Sequence, residues 1–517
     1  MFTTQTPPVR AGRREWLGLA VLMIPVLLIS IDNTVLGFAL PAISTGLHPT
    51  GTQLLWIVDI YALMLAGLLV AMGSIGDRFG RRLLLVIGAI GFGAASLLAA
   101  FSTTPEMLIV ARALLGVFGA TLMPSTLSLI RNIFLDARDR RIAIATWAAL
   151  FGGGAALGPV VGGILLEHFH WSSIFFINLP LIALFIPAAL LLLPESRDPN
   201  PGPIDPLSIV LSMLTLTPLV FAIKHGMSEG LDWLLVAAVI VSLIAGFLFV
   251  RRQLASANPM LDVRLFANAV FTSAVTANLL SLMGLAGFLY FGTQVLQLVL
   301  GLSPVEAALA LVPGLIMSIA AGYLAVPLVA RIQPRIVVPA ALALNATGLG
   351  FVAFTPEPSV PGMIISFIVL GAGIGTAEVI TNDLILSAVP ADKAGAASAI
   401  SETAYEFGSV MGTAVLGGLT TMVFGRQLAS HLGERAEDPA FETLGSALER
   451  AGEIGGRLGD ELADTVVRAF DLGVQWAAGG ATVVVLTAAV LTAFGLKGAG
   501  RGPQTEAAEV REPVSAH

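Results

Sequence analysis

Acidic side chains stand inside several long apolar runs of this sequence, where a charge is costly. Asp32 lies in the first run and Asp59 in the second. In the C-terminal half, Glu402 and Glu406 share one run and, because they are four residues apart, one helix face. A charge at the centre of a bilayer costs about 2.5–3.5 kcal/mol on insertion scales. Since burial favours a neutral carboxylate and a cation favours a charged one, these acids predict a site where protons and cations compete.

A further acidic position and a set of aromatic rings extend this candidate cation site. Glu378 lies near the middle of a later run and is the weaker candidate. Asp383 lies near the end of the same run, where a cap or an interfacial position suits it. Aromatic faces bind planar cations, and ordinary core packing is the alternative for each ring. The candidate rings are Trp56, Tyr61, Trp147, Phe151 and Tyr405.

The composition is that of an integral membrane protein. Of 517 residues, 56% are hydrophobic and 12% are charged, which leaves too little polar surface for a soluble protein of this size. Cysteine is absent, which excludes disulfides, thiol catalysis and thiolate metal sites. The sequence contains neither a nucleotide-binding loop nor a zinc-protease HExxH string. We therefore expect neither an enzyme nor an ATP-driven pump, and no metal, cofactor or nucleic acid.

Apolar segments of spanning length predict an all-α protein with fourteen transmembrane helices. Strand-like alternation is missing, and helices are then the only structure that can satisfy the backbone in lipid. The predicted spans are roughly 16–40, 53–75, 83–102, 105–129, 143–166, 173–193, 206–225, 232–250, 270–292, 305–329, 336–354, 361–388, 397–424 and 474–496. Lys and Arg are concentrated in alternate loops, so the positive-inside rule predicts that both termini are cytoplasmic.

The order of the spans predicts two six-helix bundles with two additional helices between them. The expected divisions are a cytoplasmic N-terminus (1–15), the N-terminal bundle (16–193), a cytoplasmic linker with the two extra helices (194–252), the C-terminal bundle (253–497) and a disordered cytoplasmic tail (498–517). The loop 426–472 within the C-terminal part is polar, with apolar residues at helical spacing. It predicts two short amphipathic helices in an external hairpin between helices 13 and 14, and a solvated linker is the alternative.

The string GlySerIleGlyAspArgPheGlyArgArg, residues 73–82, closes the second span and is a candidate gating loop. Its glycines permit a sharp turn and its arginines hold the loop in the cytoplasm. Its acid, at the membrane edge, can meet the N-terminus of a neighbouring helix. The candidate residues are Gly73, Asp77, Arg78, Gly80, Arg81 and Arg82. A degenerate copy without the acid follows the tenth span at 322–335, which predicts an internal repeat around a central site.

Two further features lie inside spans. Arg112 stands within the fourth span, where it needs an acidic or carbonyl partner unless it extends to the interface. The fifth span contains a run of small residues, 152–163, in which close helix packing and a proline kink predict a bendable helix that helps to open and close a cavity. The residues of this candidate bendable segment are Gly158, Pro159, Gly162 and Gly163.

Together these strings resemble the fourteen-span drug:H⁺ antiporters (DHA2) of the major facilitator superfamily, over about residues 15–497. The loop 73–82 is similar to the superfamily signature between helices 2 and 3, and Arg112 resembles the arginine of its helix 4. Residues 152–163 resemble the antiporter motif, and Glu402 and Glu406 resemble two acids of quaternary-ammonium exporters. The string 171–180 also matches a family string.

The resemblance implies a monomeric transporter that works by alternating access in the bacterial cytoplasmic membrane. It implies export of lipophilic cations in exchange for H⁺, without a cofactor: quaternary ammonium compounds, ethidium and acridine dyes, with fluoroquinolones as further candidates. A proton-coupled exporter of one endogenous metabolite, antibiotic or siderophore is the alternative. Some relatives carry an extra acid in span ten, where this chain has Ser318, so we expect weaker handling of divalent cations.

Overall fold

The computed structural model describes residues 11–197, 204–256, 259–389, 394–433 and 438–498, and within these ranges regular structure is helical, with no β-strand. Thirteen helical segments of the described part are long and apolar enough to cross a membrane, and two of these segments, Ser173–Leu192 and Ala396–Leu432, each comprise two of the helices named below. The fifth predicted span lies on a further helix, Ala137–His168, whose apolar section Leu157–His168 is shorter. The predicted all-α membrane fold is confirmed. Most of the predicted N-terminal and C-terminal tails lies outside the described residues.

The first nine helices carry the eight predicted spans of the N-terminal half and the insertion. Side chains of Thr50, Thr104, Asp205 and Asp232 accept hydrogen bonds from main-chain N–H groups at four of the helix starts, which fixes where those helices begin. The sixth predicted span is divided into two helices. In chain order they are α1 (Arg13–Leu47), α2 (Gly51–Phe79), α3 (Arg81–Ala100), α4 (Pro105–Ile133), α5 (Ala137–His168), α6 (Ser173–Phe176), α7 (Asn178–Leu192), α8 (Pro206–Ser228) and α9 (Trp233–Ala255).

The remaining helices form the C-terminal part. The thirteenth predicted span is α14 and α15 joined by a π-helical turn, Gly412–Gly417. Such turns inside α-helices often lie at functional sites. The helices are α10 (Ala269–Gln294), α11 (Pro304–Arg331), α12 (Pro334–Phe354), α13 (Val360–Ser387), α14 (Ala394–Met411), α15 (Gly418–Leu432), α16 (Leu444–Ile454) and α17 (Gly456–Gly495).

The chain forms two compact units. Unit 1 comprises Met1–Met260, Gly301–Leu309 and Glu437–Ala463. Unit 2 comprises Leu261–Leu300, Ala310–Ala436 and Asp464–His517.

The predicted external hairpin differs from the structure in two respects. Its first helix is α16, but its second is not a separate short helix: α17 is continuous over 40 residues and includes the last span. No glycine or proline interrupts residues 460–472, so nothing in that stretch stops the helix. In addition, the segment 437–463 belongs to unit 1, whereas the sequence pattern groups it with the C-terminal bundle. The Ser44 and Thr443 hydroxyls lie 2.6 Å apart and join this segment to α1.

Candidate functional site

The Asp32 carboxylate on α1 is buried and held by two side chains. Arg112 Nη1 on α4 lies 2.8 Å from Asp32 Oδ2. Asn178 Nδ2 on α7 donates to the other carboxylate oxygen at 3.3 Å. Arg112 Nε also donates to the Ile57 carbonyl at 3.2 Å. Arg112 is only 2% exposed and therefore does not extend to the interface; it has both an acidic and a carbonyl partner.

The Asp59 carboxylate on α2 forms a second buried ion pair. Lys224 Nζ on α8 lies 2.9 Å from Asp59 Oδ2, and both side chains are at most 2% exposed. The sequence pattern does not reveal this role of Lys224, because the residue stands at the edge of an apolar run, where lysine usually extends to water. Asn178 is also missed, although an amide inside an apolar stretch is a signal for it.

The candidate aromatic rings have three kinds of surroundings. The Arg112 guanidinium carbon lies 4.4 Å from the Tyr61 ring centroid, and Lys224 Nζ lies 4.1 Å from that of Trp56. These two rings therefore face the protein's own cations. Trp147 and Phe151 stack on one another at 6.0 Å, and the Trp147 indole donates to Thr126 at 3.1 Å. The fifth ring, Tyr405, is partly exposed on α14.

The acids of unit 2 lie together on two helices. Glu378 on α13 and Glu402 on α14 are partly exposed, and Glu406 is 4% exposed. The charge of Glu402 interacts with those of Glu378 and Glu406, and Tyr405 interacts with all three. Among the described residues, none of these acids forms an ion pair with a basic side chain. We call Glu378, Glu402 and Glu406 the glutamate cluster.

Neutral polar residues next to the glutamate cluster connect α10, α13 and α14. The Ser401 hydroxyl donates to Asn382 Oδ1 at 2.6 Å, and Asn278 Nδ2 donates to the same hydroxyl at 3.4 Å. These residues fix the helices that carry the acids. Asp383 is exposed, in agreement with an interfacial position. Ser318 on α11 packs its main chain against Gly375, so α11 approaches α13 closely at this level.

The loop 73–82 is organised by a glutamate that the sequence pattern does not single out. Glu195 accepts hydrogen bonds from the Arg82 and Leu83 main-chain N–H groups, each at 3.1 Å, at the start of α3. Asp77 instead pairs with Arg81 at 2.7 Å. Glu195 therefore takes the position at the start of α3, and a contact of Asp77 with the N-terminus of another neighbouring helix stays a prediction.

Two positions of this loop explain its glycine and arginine pattern. Gly80 has φ +124°, and a Cβ there would lie 2.8 Å from the Glu195 carboxylate, so only glycine fits. Arg82 Nη1 donates to the Leu193 carbonyl at 2.9 Å, which ties the loop to the end of α7. Gly73 faces Pro124 of α4, and Arg78 is exposed.

The small residues of α5 pack against the turn of α1 that carries Asp32. A Cβ at Gly162 would lie 2.6 Å from Val35, and one at Gly158 would overlap the Thr34 side chain. A Cβ at Gly163 would meet the main chain of Pro304, and Pro159 is buried beside these glycines. The motif therefore allows the α5 backbone to approach α1 closely, within unit 1, at the level of the buried acid.

Comparison with known proteins agrees with this architecture. Residues 22–413 match the Major Facilitator Superfamily. The multidrug efflux pump LfrA of Mycolicibacterium smegmatis is 50% identical over 492 residues, covering 95% of this chain and 97% of the relative. The methyl viologen resistance protein SmvA of Salmonella typhimurium is 35% identical, covering 88% and 93%. The tetracenomycin C resistance and export protein of Streptomyces glaucescens is 30% identical, covering 95% and 93%.

A solved structure of low sequence identity shares the fold. A bacterial homologue of the human lysosomal transporter Spinster, in an inward-facing and unoccupied conformation, superposes with a TM-score of 0.69 at 17% identity. The match covers 95% of this chain and 100% of that one.

Proposed function

Because this chain belongs to the major facilitator superfamily of membrane transporters, we propose that it is a proton-coupled antiporter that exports lipophilic organic cations. It is a multi-pass membrane protein and a transporter rather than an enzyme. The proposal places it in a bacterial cytoplasmic membrane, as a monomer with both termini in the cytoplasm. The proton gradient drives transport without a cofactor.

The observation that carries this proposal is the glutamate cluster. Glu402 lies within electrostatic range of both Glu378 and Glu406, and none of the three has a basic partner among the described residues, so they cannot all hold a negative charge cheaply. Protons or a substrate cation reduce that repulsion, and either one displaces the other. Glu378 and Glu402 are partly exposed, so that both protons and a substrate cation can reach them. This competition is the physical basis of exchange.

Similarity to drug exporters supports the substrate class. The relatives named for multidrug efflux and for methyl viologen resistance are similar to this chain over nearly its whole length. We therefore propose quaternary ammonium compounds, ethidium and acridine dyes as substrates, with fluoroquinolones as further candidates. An exporter of one natural product is the second candidate function, supported by the relative named for tetracenomycin C resistance and export.

Ethidium export from everted membrane vesicles tests the coupling. We expect export when a pH gradient is imposed and its loss when the gradient is collapsed. Glu406→Gln should abolish export at unchanged membrane abundance, whereas Asp383→Asn, on an exposed acid of α13, is the matched control and should retain it. Export that survives collapse of the gradient would refute proton coupling. Export of one natural product without export of any dye would favour the second candidate function, a dedicated natural-product exporter.

A further inference from the structure

The Lys224 ammonium is surrounded as a bound organic cation would be. It lies 2.9 Å from the Asp59 carboxylate and 4.1 Å from the centroid of the Trp56 ring. A carboxylate and an indole face are the two groups that hold a lipophilic cation most effectively. The Arg112 guanidinium differs, because a main-chain carbonyl fixes it in addition to its acid. A compact ammonium on a flexible stem is also more easily moved than a guanidinium fork.

Lys224 lies on α8, one of the two helices that are additional to the two six-helix bundles. This helix lies close to α2: the Ser212 hydroxyl reaches the Gly67 carbonyl at 3.4 Å, and Met213 fills the space beside Gly67 where a Cβ would stand. Lys224 is 1% exposed, whereas Trp56 is partly exposed. The additional helix α8 thus places a positive charge next to the Asp59 carboxylate of α2. This charge also lies beside the Trp56 ring, which is partly accessible.

We propose that Lys224 is a tethered cation that fills a carboxylate–indole site on α2 and determines which substrate charges the transporter accepts. The inference rests on the proposed export of organic cations. With Lys224 present, the pair with Asp59 has no net charge. Without Lys224, the same site offers one negative charge beside an aromatic face. That site then favours substrates that carry a second, separated positive charge.

Equilibrium binding to the purified full-length protein in detergent tests this inference. The probes are methyl viologen, a dication, and tetraphenylphosphonium, a monocation, and the readout is the ratio of their affinities by calorimetry. We expect Lys224→Met to raise this ratio in favour of the dication on the order of tenfold, because one unit of negative charge is added at the site. Asp59→Asn, which leaves a positive charge, should lower the ratio.

The double variant Asp59→Asn/Lys224→Met is the matched control. It removes both charges together, which buried pairs tolerate far better than loss of one partner, and its ratio should equal that of the wild type. If only one of the two single variants folds, the ratio of its affinities for methyl viologen and tetraphenylphosphonium is compared with that of the double variant. A difference in the expected direction supports the proposal, and equal ratios overturn it. Equal ratios in all variants would overturn the proposal. So would recovery of the double variant alone, because Lys224 would then be a structural brace.

Failure of the proposed function gives a different result. Binding needs no gradient. Export that does not depend on the pH gradient would therefore refute proton coupling, but the expected order of the affinity ratios among the Lys224 and Asp59 variants would still hold. A charge-independent ratio together with gradient-driven ethidium export would refute the role of Lys224 and leave the proposed function standing.

Discussion

The paired aspartates of unit 1 and the glutamate cluster of unit 2 are carboxylates in opposite surroundings. Asp32 and Asp59 are each paired with a basic residue, and each base lies over an aromatic ring. The glutamate cluster of unit 2 has other acids as its charged neighbours. A paired acid keeps its charge and its position, whereas an acid among acids changes its charge when a proton or a cation arrives.

This difference assigns separate tasks to acids that the sequence groups into one set. The Asp32–Arg112 pair holds α1 against α4, with α5 packed on α1 beside it. The Asp59–Lys224 pair joins α2 to α8 at the proposed carboxylate–indole site. The acids of unit 2 are the better candidates for exchange of a proton against a substrate. The competition that the sequence predicts for all of these acids is therefore proposed for the glutamate cluster and not for Asp32 and Asp59.

Loss of one partner of the Asp32 pair should have the largest effect on stability. Arg112→Met leaves a buried carboxylate without its cation, and removal of one partner of a buried pair costs about 3–5 kcal/mol. We expect a strongly lowered unfolding temperature in a thermal scan of the purified protein. Asp32→Asn/Arg112→Met should recover most of the loss. In contrast, Glu406→Gln should leave the unfolding temperature close to that of the wild type, and a large drop would break the comparison.

Close packing of α5 on α1 should give the next largest effect. Gly158→Val forces a side chain against Thr34, and overpacking of this kind costs about 1–3 kcal/mol. Gly37→Val on α1 is the matched control, since a Cβ there meets nothing within 4 Å, and it should change stability by about 0.5 kcal/mol or less. Thermal unfolding of both variants measures the difference. Equal unfolding temperatures would show that α5 does not need to approach α1 so closely.

The Asp205–Arg252 pair of unit 1, at the start of α8, should give the smallest of these effects. Hydrogen bonds from Arg252 lower the pKa of Asp205 to about 2. Because the folded pKa lies below the unfolded one, the pair stabilises the protein above about pH 4 and this contribution is lost as the pH falls toward 2. Asp205→Asn should cost about 1–2 kcal/mol near neutral pH, after allowance for solvent screening, and less near pH 3. A cost that does not change between these pH values would contradict the pairing.

The helices and the motif strings follow from the sequence because their signals are local. Apolar runs of spanning length locate the membrane helices, and the need of Arg112 for a partner follows from its place inside such a run. The spacing of Glu402 and Glu406 puts them on one face of α14 without any knowledge of the fold.

The partners themselves do not follow, because they join residues far apart in the chain. Lys224 lies 165 positions from Asp59, and Asn178 lies 146 positions from Asp32. Glu195 reaches the start of α3 across 113 positions from Arg82. Composition gives no signal for such pairs when one member stands at the edge of an apolar run. Two aromatic rings also proved to face protein cations, which only the packing of α4 and α8 on α2 reveals.

Proton release on substrate binding tests the central claim most directly. Tetraphenylphosphonium is added to the purified full-length protein in weakly buffered detergent solution, and the protons released are counted. The wild type should release protons, and so should Asp59→Asn/Lys224→Met, because its glutamate cluster is intact. Glu402→Gln/Glu406→Gln should release almost none. Undiminished release from this glutamate variant, with loss of release from the unit 1 variant, would contradict the assignment of exchange to unit 2.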